Sequence, residues 1–413
     1  MMSDMTAPAA RRPGRVRLAA VDIPLDELRS HARPRLFEAA KTSPGHGECL
    51  CTIPPQPLVI RLRAGHYHLA GWPDLGARHD SRCPFFKLAA AMTGKSGYAV
   101  GAIAETPDGT HIRLHQPLTV RGGQDTRTGA DTGEPAEALS RNTVSLLGLL
   151  HWLWEQGGLN QWHHQAEPRG WPYVSAAVRQ AVTGCTVNGQ PLEACLYVPM
   201  PFTPDTRDRA NAALDRFVSA LGARRPGSRW RGLILGEVRD ISPTPYGERI
   251  MLRHAKTPIF ASTAVMDRAR RAHRQAFAGS RPARSRQLVL LLVDRTAHGY
   301  LVAVDLCAML TSHAYIPAES AYEVQMADHL VTHGRDFVKP CRYDDLAAVF
   351  PDFILTDVGS DFAYVEVWGV TDREDYEQRR RVKERHYRRA GALLVGWDVT
   401  SVRLADIALP RRA

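Results

Sequence analysis

The chain contains 413 residues, of which 44% are hydrophobic and 23% charged, as is usual for a globular protein. This composition excludes a wholly disordered chain, and the longest apolar run, Leu288–Val293, is far shorter than the ~18 residues of a transmembrane helix. The net charge of +10 favours a polyanionic partner such as nucleic acid, although arginine-rich, lysine-poor usage also arises in GC-rich genomes. Because no apolar stretch follows the N-terminal arginines, we expect no secretory signal, no membrane partner and a cytoplasmic protein.

The first third of the chain changes composition twice. Residues 1–17 are rich in Ala, Pro and Arg, which predicts a disordered tail. Residues 18–120 predict a β-rich domain, because short runs such as Leu58–Arg63 and Thr110–Leu114 are separated by Gly and Pro. Residues 121–138 are rich in Gly, Asp and Thr and predict a linker or long loop.

Cysteine and histidine residues cluster within the predicted N-terminal domain. A Cys-Leu-Cys motif and a His-x-x-x-Cys motif are separated by 27 residues, which gives a Cys₃His set typical of a tetrahedral zinc shell. His66 and His68 are alternatives for the fourth place, and buried thiols beside a surface histidine would need no metal. The odd total of seven cysteines argues against a disulfide framework. We therefore expect a structural zinc ion with four ligands: Cys49, Cys51, His79 and Cys83.

A short Gly-Lys-Ser motif follows this region. Thr93-Gly94-Lys95-Ser96 resembles the end of a phosphate-binding loop, but Ala89 stands where that loop needs its upstream glycine. We therefore expect an ordinary loop and no nucleotide cofactor.

Residues 139–286 predict a helical middle domain. Leu and Trp side chains recur at helical spacing over 146–154, and a second helix fits Val174–Val182. Asn188-Gly189 then separates two strand-like runs, which is a hairpin signal. Two helices followed by a hairpin are compatible with a winged helix.

Arginines are concentrated at the end of this predicted domain. The segment Arg268–Arg286 contains seven arginines and no acid. It is either a solvated helix and loop or a track that contacts phosphates. On the second interpretation the nucleic-acid-binding residues are Arg268, Arg270, Arg271 and Arg274.

Residues 287–413 predict a domain of mixed secondary structure. From residue 319 the expected order is a helix to His333, strands at Phe353–Thr356 and Ala363–Val367, a helix over 372–390 and a last strand over 392–396. The long helix has a capping box at 371–374 and basic residues in its last turn.

Two acids and one lysine stand out within this order. Asp352 precedes one strand, and Glu366 lies within the next, on the face opposite to Val365 and Val367. Carboxylates on neighbouring strands can share Mg²⁺, which would polarise a phosphate and activate water. Lys383, one of only six lysines, lies on the long helix and supplies the cation that such a site needs.

These residues resemble the PD-(D/E)XK nuclease superfamily, whose core is a mixed sheet with flanking helices. The resemblance covers roughly 317–400 and implies that Asp352 and Glu366 bind the metal, with Glu323 on the preceding helix at the rim of the site. Trp368 stands where the family's lysine normally lies, and Lys383 matches the variant that moves this lysine to the following helix. The implied activity is Mg- or Mn-dependent DNA cleavage by these four residues: Asp352, Glu366, Lys383 and Glu323. The alternative is a non-catalytic DNA-binding or maintenance protein that keeps a degenerate nuclease fold as a scaffold.

Most of the chain is also similar to an uncharacterised bacterial family. The similarity rests on the Cys-x-Cys motif, on Trp72-Pro-x-x-Gly-x-x-His-x-x-x-Cys83 and on the C-terminal segment. Members of that family have about this length and are often carried on plasmids and integrative elements, which implies a link to a mobile element. The expected fold class is multidomain α+β, with a zinc-bearing β-rich domain, a helical middle domain and a restriction-endonuclease-like sheet.

Overall fold

The structure is a computed structural model. It describes residues 14–30, 33–63, 65–89, 92–98, 101–121, 142–225, 228–343, 350–359, 362–369, 374–389 and 391–413. Within these ranges the chain is a mixed α+β protein with two compact units. The first unit extends to Met92 and includes Glu105–Gly109, and the second contains Thr93–Ala104 and Thr110–Ala413. No helix in the described ranges is long and apolar enough to cross a membrane.

The first unit contains one antiparallel sheet and two helices. Their bounds are β1 Arg15–Leu18, β2 Val21–Pro24, α1 Leu25–Ser30, α2 Pro34–Thr42, β3 Gly47–Cys49, β4 Gln56–Arg63 and β5 His66–Gly71. The strand order is β2-β1-β3-β4-β5. Helix α2 contributes Phe37 and Ala40 to a core with Leu18 and Ile60. Strand β1 begins at Arg15, so the predicted tail is wrong for its last residues, and residues 1–13 lie outside the described part.

The second unit begins with short strands and helices. Their bounds are β6 Ile103–Glu105, β7 Thr110–Ile112, β8 Thr119–Arg121, α3 Leu146–Gln156, β9 Gln161–Trp162, α4 Trp171–Val182, β10 Cys185–Val187, β11 Gln190–Pro191, α5 Leu192–Cys195, β12 Leu196–Tyr197, α6 Arg207–Ala220, β13 Gly222–Arg225 and β14 Ser228–Trp230. The predicted linker falls almost entirely on residues 122–141, outside the described part of the chain.

The second unit continues with longer strands. Their bounds are β15 Gly232–Thr244, β16 Gly247–Leu252, β17 Ile259–Ser262, α7 Thr263–Ala272, α8 Arg274–Phe277, β18 Arg286–Arg295, β19 Leu301–Thr311, β20 Pro317–Ala318, α9 Ala321–Thr332, β21 Phe337–Val338, β22 Phe353–Leu355, β23 Ala363–Trp368, α10 Glu374–Arg389 and β24 Leu393–Asp398.

The Asn188-Gly189 hairpin forms as the sequence predicts. Both residues have positive φ, and β10 pairs with β11 across this turn. On its other edge β10 pairs in parallel with β7, so Thr110–Ile112 belongs to a sheet with the hairpin. The second unit therefore begins before residue 120, where the sequence placed the end of the N-terminal domain.

Five strands of the second unit close into a barrel. Strand β15 pairs with β16 and β18, β16 pairs with β17, β17 pairs in parallel with β19, and β19 pairs with β18. The barrel interior is filled by aliphatic residues such as Ile250, Ile259 and Leu301. Helix α7, between β17 and β18, adds Met266 and Ala269 to this core.

The barrel explains the longest apolar run of the sequence. In Leu288–Val293 alternate side chains face the barrel interior, and the others pack against the helices α3 and α4. Both faces of β18 are therefore buried, which removes the polar alternation of a half-exposed strand. The domain boundary predicted at 286/287 is wrong as a division of the fold, because β15 before it and β18 after it are paired neighbours.

The last part of the chain forms a mixed five-stranded sheet in the order β24-β23-β22-β21-β9. Strands β21, β22 and β23 are antiparallel, and β24 is parallel to β23 after the crossover through α10. Val365 and Val367 share a core with Met326 and Leu330 of α9. The alternate residues of β23 face the opposite way, towards α10.

Candidate functional site

The four predicted zinc ligands lie together in the first unit. Cys49, Cys51, His79 and Cys83 are buried, and their ligand atoms all lie within 4.8 Å of one another. Cys49 ends β3, and His79 follows a turn of 3₁₀ helix at Gly76–Arg78. The side chains of Cys49 and Cys51 approach from one segment and those of His79 and Cys83 from the other. His66 and His68 are not part of this group.

The spacing of these atoms fits a tetrahedral metal shell. In a zinc shell with Zn–S of ~2.3 Å and Zn–N of ~2.0–2.1 Å, neighbouring ligand atoms lie ~3.5–3.8 Å apart. The Sγ atoms of Cys49 and Cys83 are 3.5 Å apart, and Nδ1 of His79 lies 3.3 Å from Sγ of Cys51 and 3.6 Å from Sγ of Cys83. A buried Cys₃His cluster of this size could hold zinc.

The electrostatics of the three thiols also favour a cation. Contact with Cys51 raises the pKa of Cys49 to about 11, and contacts with Cys49 and Cys51 raise the pKa of Cys83. The same contacts, first that with Cys49, lower the pKa of Cys51. Without a cation the cluster therefore stabilises a single thiolate, whereas a bound divalent ion would stabilise all three.

The second predicted site lies on the C-terminal sheet. Asp352 immediately precedes β22, and the pairing of Phe353 with Val365 places it across from Glu366 in β23. Asp352 is 5% exposed and Glu366 only 1%. Oδ2 of Asp352 accepts a hydrogen bond of 2.8 Å from the backbone N–H of Val367. The two acids therefore lie on adjacent antiparallel strands, with Asp352 fixed by the backbone of its neighbour.

Lys383 reaches this site from helix α10. Its Nζ donates to Oε1 and Oε2 of Glu366 at 3.0 and 2.8 Å, and to the carbonyl of Phe350 at 3.0 Å. Tyr387, one helical turn later, donates its hydroxyl to Oε1 of Glu366 at 2.7 Å. The pKa of Glu366 is raised to about 7, first by burial and then by the charge of Asp352, against the opposing effect of Lys383.

Trp368 points away from Asp352. Its Nε1 lies 3.0 Å from the position that a Cβ on Gly396 would occupy, so the indole covers this glycine of β24. Strand β24 is the neighbour of β23 on the side opposite to β22. Arg380 lies over the indole at 5.1 Å and Lys383 at 5.9 Å. The indole therefore does not fill the space between the two acids.

Glu323 lies deeper than the expected rim position. It is 6% exposed, and its Oε2 accepts from the N–H of Glu319 at 3.0 Å. Nζ of Lys339, which is 1% exposed, lies 2.9 Å from the same oxygen. Burial raises the pKa of Glu323, with Lys339 opposing. Burial lowers the pKa of Lys339, but Glu323, Glu319 and Asp352 outweigh it and the net shift is upward. This second buried ion pair was missed from the sequence.

Arg342 was also missed, and it bridges Glu319 and Asp352. Its guanidinium lies 3.1 Å from Glu319 and 3.3 Å from Oδ1 of Asp352. Gly94 packs on the backbone beside it: the N–H of Gly94 donates to the carbonyl of Cys341, and a Cβ on Gly94 would lie 2.1 Å from the carbonyl oxygen of Arg342. The glycine of the Gly-Lys-Ser motif thus permits close backbone approach. The scarcity of lysine in the sequence was the one signal that pointed to Lys339.

The four predicted nucleic-acid-binding arginines lie on α7 and the start of α8. Arg270 forms a bidentate pair with Glu248, and Arg268 lies 3.5 Å from Asp305. Arg271 and Arg274 are exposed. Glu248 and Asp305 therefore neutralise part of the charge of Arg270 and Arg268 within the protein.

The fold and the two clusters define the class of protein: an α+β chain with a buried Cys₃His centre and a buried carboxylate–lysine site on a mixed sheet. A family model matches residues 25–399, and the chain belongs to that family, which is described as a protein of unknown function, DUF1173. No curated protein and no solved structure matches the chain. The resemblance to PD-(D/E)XK nucleases therefore stays an expectation that rests on the sequence motifs alone.

Proposed function

We propose that the protein is a metal-dependent nuclease that hydrolyses DNA phosphodiester bonds and is linked to a mobile element. The observation that carries this proposal is the position of Lys383, whose Nζ contacts both carboxylate oxygens of Glu366 beside Asp352. The site lies on a helix, three antiparallel strands, a helix and a parallel strand, in that order. That order agrees with the mixed sheet and flanking helices that the resemblance implies.

Each side chain has a role that its position supports. Asp352 and Glu366 would hold Mg²⁺ or Mn²⁺, which supplies polarisation of the phosphate and an acidified water when bound. Mg²⁺ is commonly held by one or two carboxylates with waters and phosphate oxygens, so two buried oxygen donors on adjacent strands fit it. Lys383 carries a cation that can orient water or stabilise charge on the phosphate. Tyr387 and the N–H of Val367 fix the two carboxylates.

Glu323 and Lys339 act as positioning residues in this proposal. Both interact electrostatically with Asp352, and Arg342 contacts Asp352 directly. A buried ion pair beside the acids keeps the loop that carries Lys339 and Arg342 in one arrangement. Contact with that loop in turn sets the position of Asp352.

We also propose that the Cys₃His cluster binds one structural zinc ion. All four ligand positions are occupied by protein side chains, which leaves no open coordination position for a substrate. Zinc would therefore stabilise the first unit and take no part in hydrolysis.

One observation favours a second candidate, a non-catalytic DNA-binding scaffold. Each acid already has a cation of the protein beside it: Arg342 for Asp352, Lys383 for Glu366 and Lys339 for Glu323. Among the described residues, the Cys₃His group is the one set of three or more Cys, His, Asp or Glu side chains whose ligand atoms converge closely enough to hold a metal. A metal at these carboxylates would compete with Arg342 for Asp352 and with Lys383 for Glu366.

The deciding experiment is incubation of supercoiled and linear DNA with Mg²⁺ or Mn²⁺. The wild type should cleave, and Asp352→Asn and Lys383→Met should lower the rate by at least ~100-fold, because each change removes a charge that acts on the reacting phosphate. Asp208→Asn on the exposed face of α6 and Lys256→Met are matched controls and should retain full activity.

Two results would contradict the proposal. Equal cleavage by the wild type and Asp352→Asn would assign the activity to a contaminant or another site. No cleavage by a folded wild type on any substrate or metal, with DNA binding intact, would favour the scaffold.

A further inference from the structure

The barrel leaves part of its outer surface uncovered. Along β16 the side chains alternate, so that Ile250 and Leu252 are buried in the barrel. Arg249 and Met251 point outward, and Arg249 and Arg253, the residue just after the strand, are exposed. In contrast, the outer faces of β18 and of the first half of β15 pack against the α3 and α4 helices. The uncovered surface thus lies on β16, β17 and the adjoining ends of β15 and β19.

Three aromatic residues lie at one end of this surface. Tyr246, at the tip of the β15–β16 hairpin, is 92% exposed, and Tyr300, before β19, is 59% exposed. Phe260 of β17 is the direct cross-strand neighbour of Arg249, and its ring meets the ring of Tyr300 edge-on at 5.9 Å. Tyr246 and Phe260 line an open cavity of about 560 Å³. Exposed rings beside an arginine form a platform on which planar groups can stack.

Arginines dominate the other end of the surface. An open cavity of about 480 Å³ lies there, and most of its lining is polar. Its charged lining residues are Arg239, Arg253, Arg270, Arg281, Arg286, Glu237 and Asp240. Arg253 immediately follows β16, four residues after Arg249, so the cavity adjoins the surface that starts at the aromatic end.

The cavity arginines are held in place, and although Arg270 is paired with Glu248 the set as a whole keeps an excess of positive charge. Glu237 is 4% exposed and receives the guanidinium groups of Arg253 at 2.8 Å and Arg286 at 3.1 Å, together with the hydroxyl of Tyr315 at 2.8 Å. One carboxylate cannot balance two guanidinium charges. Among the described residues Arg281 has no carboxylate partner, and burial lowers its pKa. The cavity therefore offers fixed positive charge to an anion.

We propose that this outer face of the barrel binds an unpaired strand of nucleic acid, with bases stacked on Tyr246 and Tyr300 and phosphates on Arg249, Arg253 and the arginine-lined cavity. The inference rests on the proposed function for DNA as the partner, and it adds which form of DNA is bound and where. The surface is separate from the carboxylate–lysine site.

Single-stranded nucleic acid fits both ends of the surface at once. A duplex hides the faces of its bases, whereas an unpaired base can stack on an exposed ring. An oligosaccharide could also stack on tyrosines, but it would leave the arginines without a counter-charge. The five strands form a closed Greek-key arrangement, and barrels of that architecture bind oligonucleotides through the face of their second and third strands and the neighbouring hairpin loops. Here the second and third strands are β16 and β17, and the two tyrosines lie in the two hairpin loops.

The test is fluorescence anisotropy with labelled oligo(dT) and with a duplex of equal length. It uses the full chain carrying Asp352→Asn without added Mg²⁺, so that binding is measured without cleavage of the DNA. The single strand should bind more tightly than the duplex. Tyr246→Ala and Tyr300→Ala should each weaken its binding by roughly 5- to 150-fold, the range expected when one base can no longer stack. Tyr246→Phe should restore binding, and Tyr173→Ala, an exposed tyrosine on α4, is the matched control.

A second measurement tests the arginines. The slope of log affinity against log salt should become shallower by about 0.7 for each phosphate-binding arginine that is neutralised, as in Arg239→Gln and Arg249→Gln. Arg216→Gln, which removes an exposed charge from α6, should leave the slope unchanged. Heparin is anionic but has no bases, so the tyrosine variants should bind it like the parent.

The outcomes separate this inference from the proposed function. Parental affinity in the double variant Tyr246→Ala/Tyr300→Ala, an equal loss in Tyr173→Ala, or preference for the duplex would overturn the inference. Oligo(dT) binding with the predicted losses, but no cleavage by the wild type under any condition, would support the inference and refute the nuclease. A tyrosine variant that loses heparin and oligo(dT) equally would show that stacking is not involved.

Discussion

Replacement of Cys51 by serine is expected to remove the zinc ion and to unfold the first unit alone. Cys51 is fully buried, and its Sγ accepts from the N–H of Asp80 at 3.4 Å as well as facing Nδ1 of His79. A hydroxyl is a much weaker zinc ligand than a thiolate. Structural zinc in small sites contributes roughly 10–16 kcal/mol of apparent binding energy, which appears as folding energy.

The amount of zinc-binding energy that is lost determines whether the first unit stays folded. If the substitution loses even half of that energy, the loss is about 5 kcal/mol or more, as large as the whole stability of many domains. In the described part of the first unit, one apolar cluster consists of four buried residues: Leu18, Phe37, Ala40 and Ile60. We therefore expect the sheet β2-β1-β3-β4-β5 to lose its order without the metal.

Two measurements on the full chain check this prediction. Elemental analysis should find one zinc per wild-type chain and none in Cys51→Ser. Hydrogen exchange followed by mass spectrometry should show fast exchange in residues 14–92 of the variant, with protection of the barrel unchanged. Cys185→Ser, which alters a buried thiol on β10, is the matched control and should keep both zinc and protection. A folded wild type without zinc would refute the reasoning.

Three further changes test the second unit. Burial lowers the pKa of His151 from 6.5 to about 3, so between these pH values the unfolded chain binds a proton that the folded chain does not. The free energy of unfolding should therefore fall by up to about 1.4 kcal/mol for each pH unit as the pH drops from 6.5 towards 3. The melting temperature of His151→Gln should depend less on pH in this range. Glu323→Gln should lower the free energy of unfolding by about 3–5 kcal/mol, because it leaves Lys339 charged and buried. In denaturant unfolding, the double variant Lys339→Met/Glu323→Gln should lose less of this free energy than the two single variants lose together. Gly94→Ala should displace the backbone of Arg342 and abolish DNA cleavage without loss of zinc. Unchanged cleavage would show that the position of this loop does not affect the site.

The elements of the C-terminal sheet could be predicted because their signals are local. The expected helix from 319 to 333 is found as Ala321–Thr332, with Ser320 as its cap, and the expected strand at Ala363–Val367 is found as Ala363–Trp368. Helical spacing also brought Lys383 and Tyr387 to one face. The strand at Phe337–Val338 was missed, because two residues carry no alternation that a sequence pattern can show.

The barrel could not be predicted because its closure depends on distant pairs. Strand β17 pairs in parallel with residues of β19 that lie 42 positions later, beyond two helices and another strand, and no local pattern encodes that contact. Strand β18 was read as the start of a new domain, since its purely apolar run gave no sign of which two layers bury it. Lys339 and Arg342 were missed for a related reason: they lie outside any motif and meet Glu323 and Asp352 only in the folded chain.

The edge strand β9 has a consequence for how the chain reaches its native state. Gln161 and Trp162 pair with Val338 and Phe337, about 175 residues later, and Asn160 and Lys339 exchange hydrogen bonds at the same edge. The carboxylate–lysine sheet is therefore completed by a segment synthesised long before the rest of it. Contacts so distant in sequence slow folding, because loop closure must precede them. A fragment that starts at residue 287 would lack this strand and would expose the edge of β21, so truncation cannot isolate the site as an independent module.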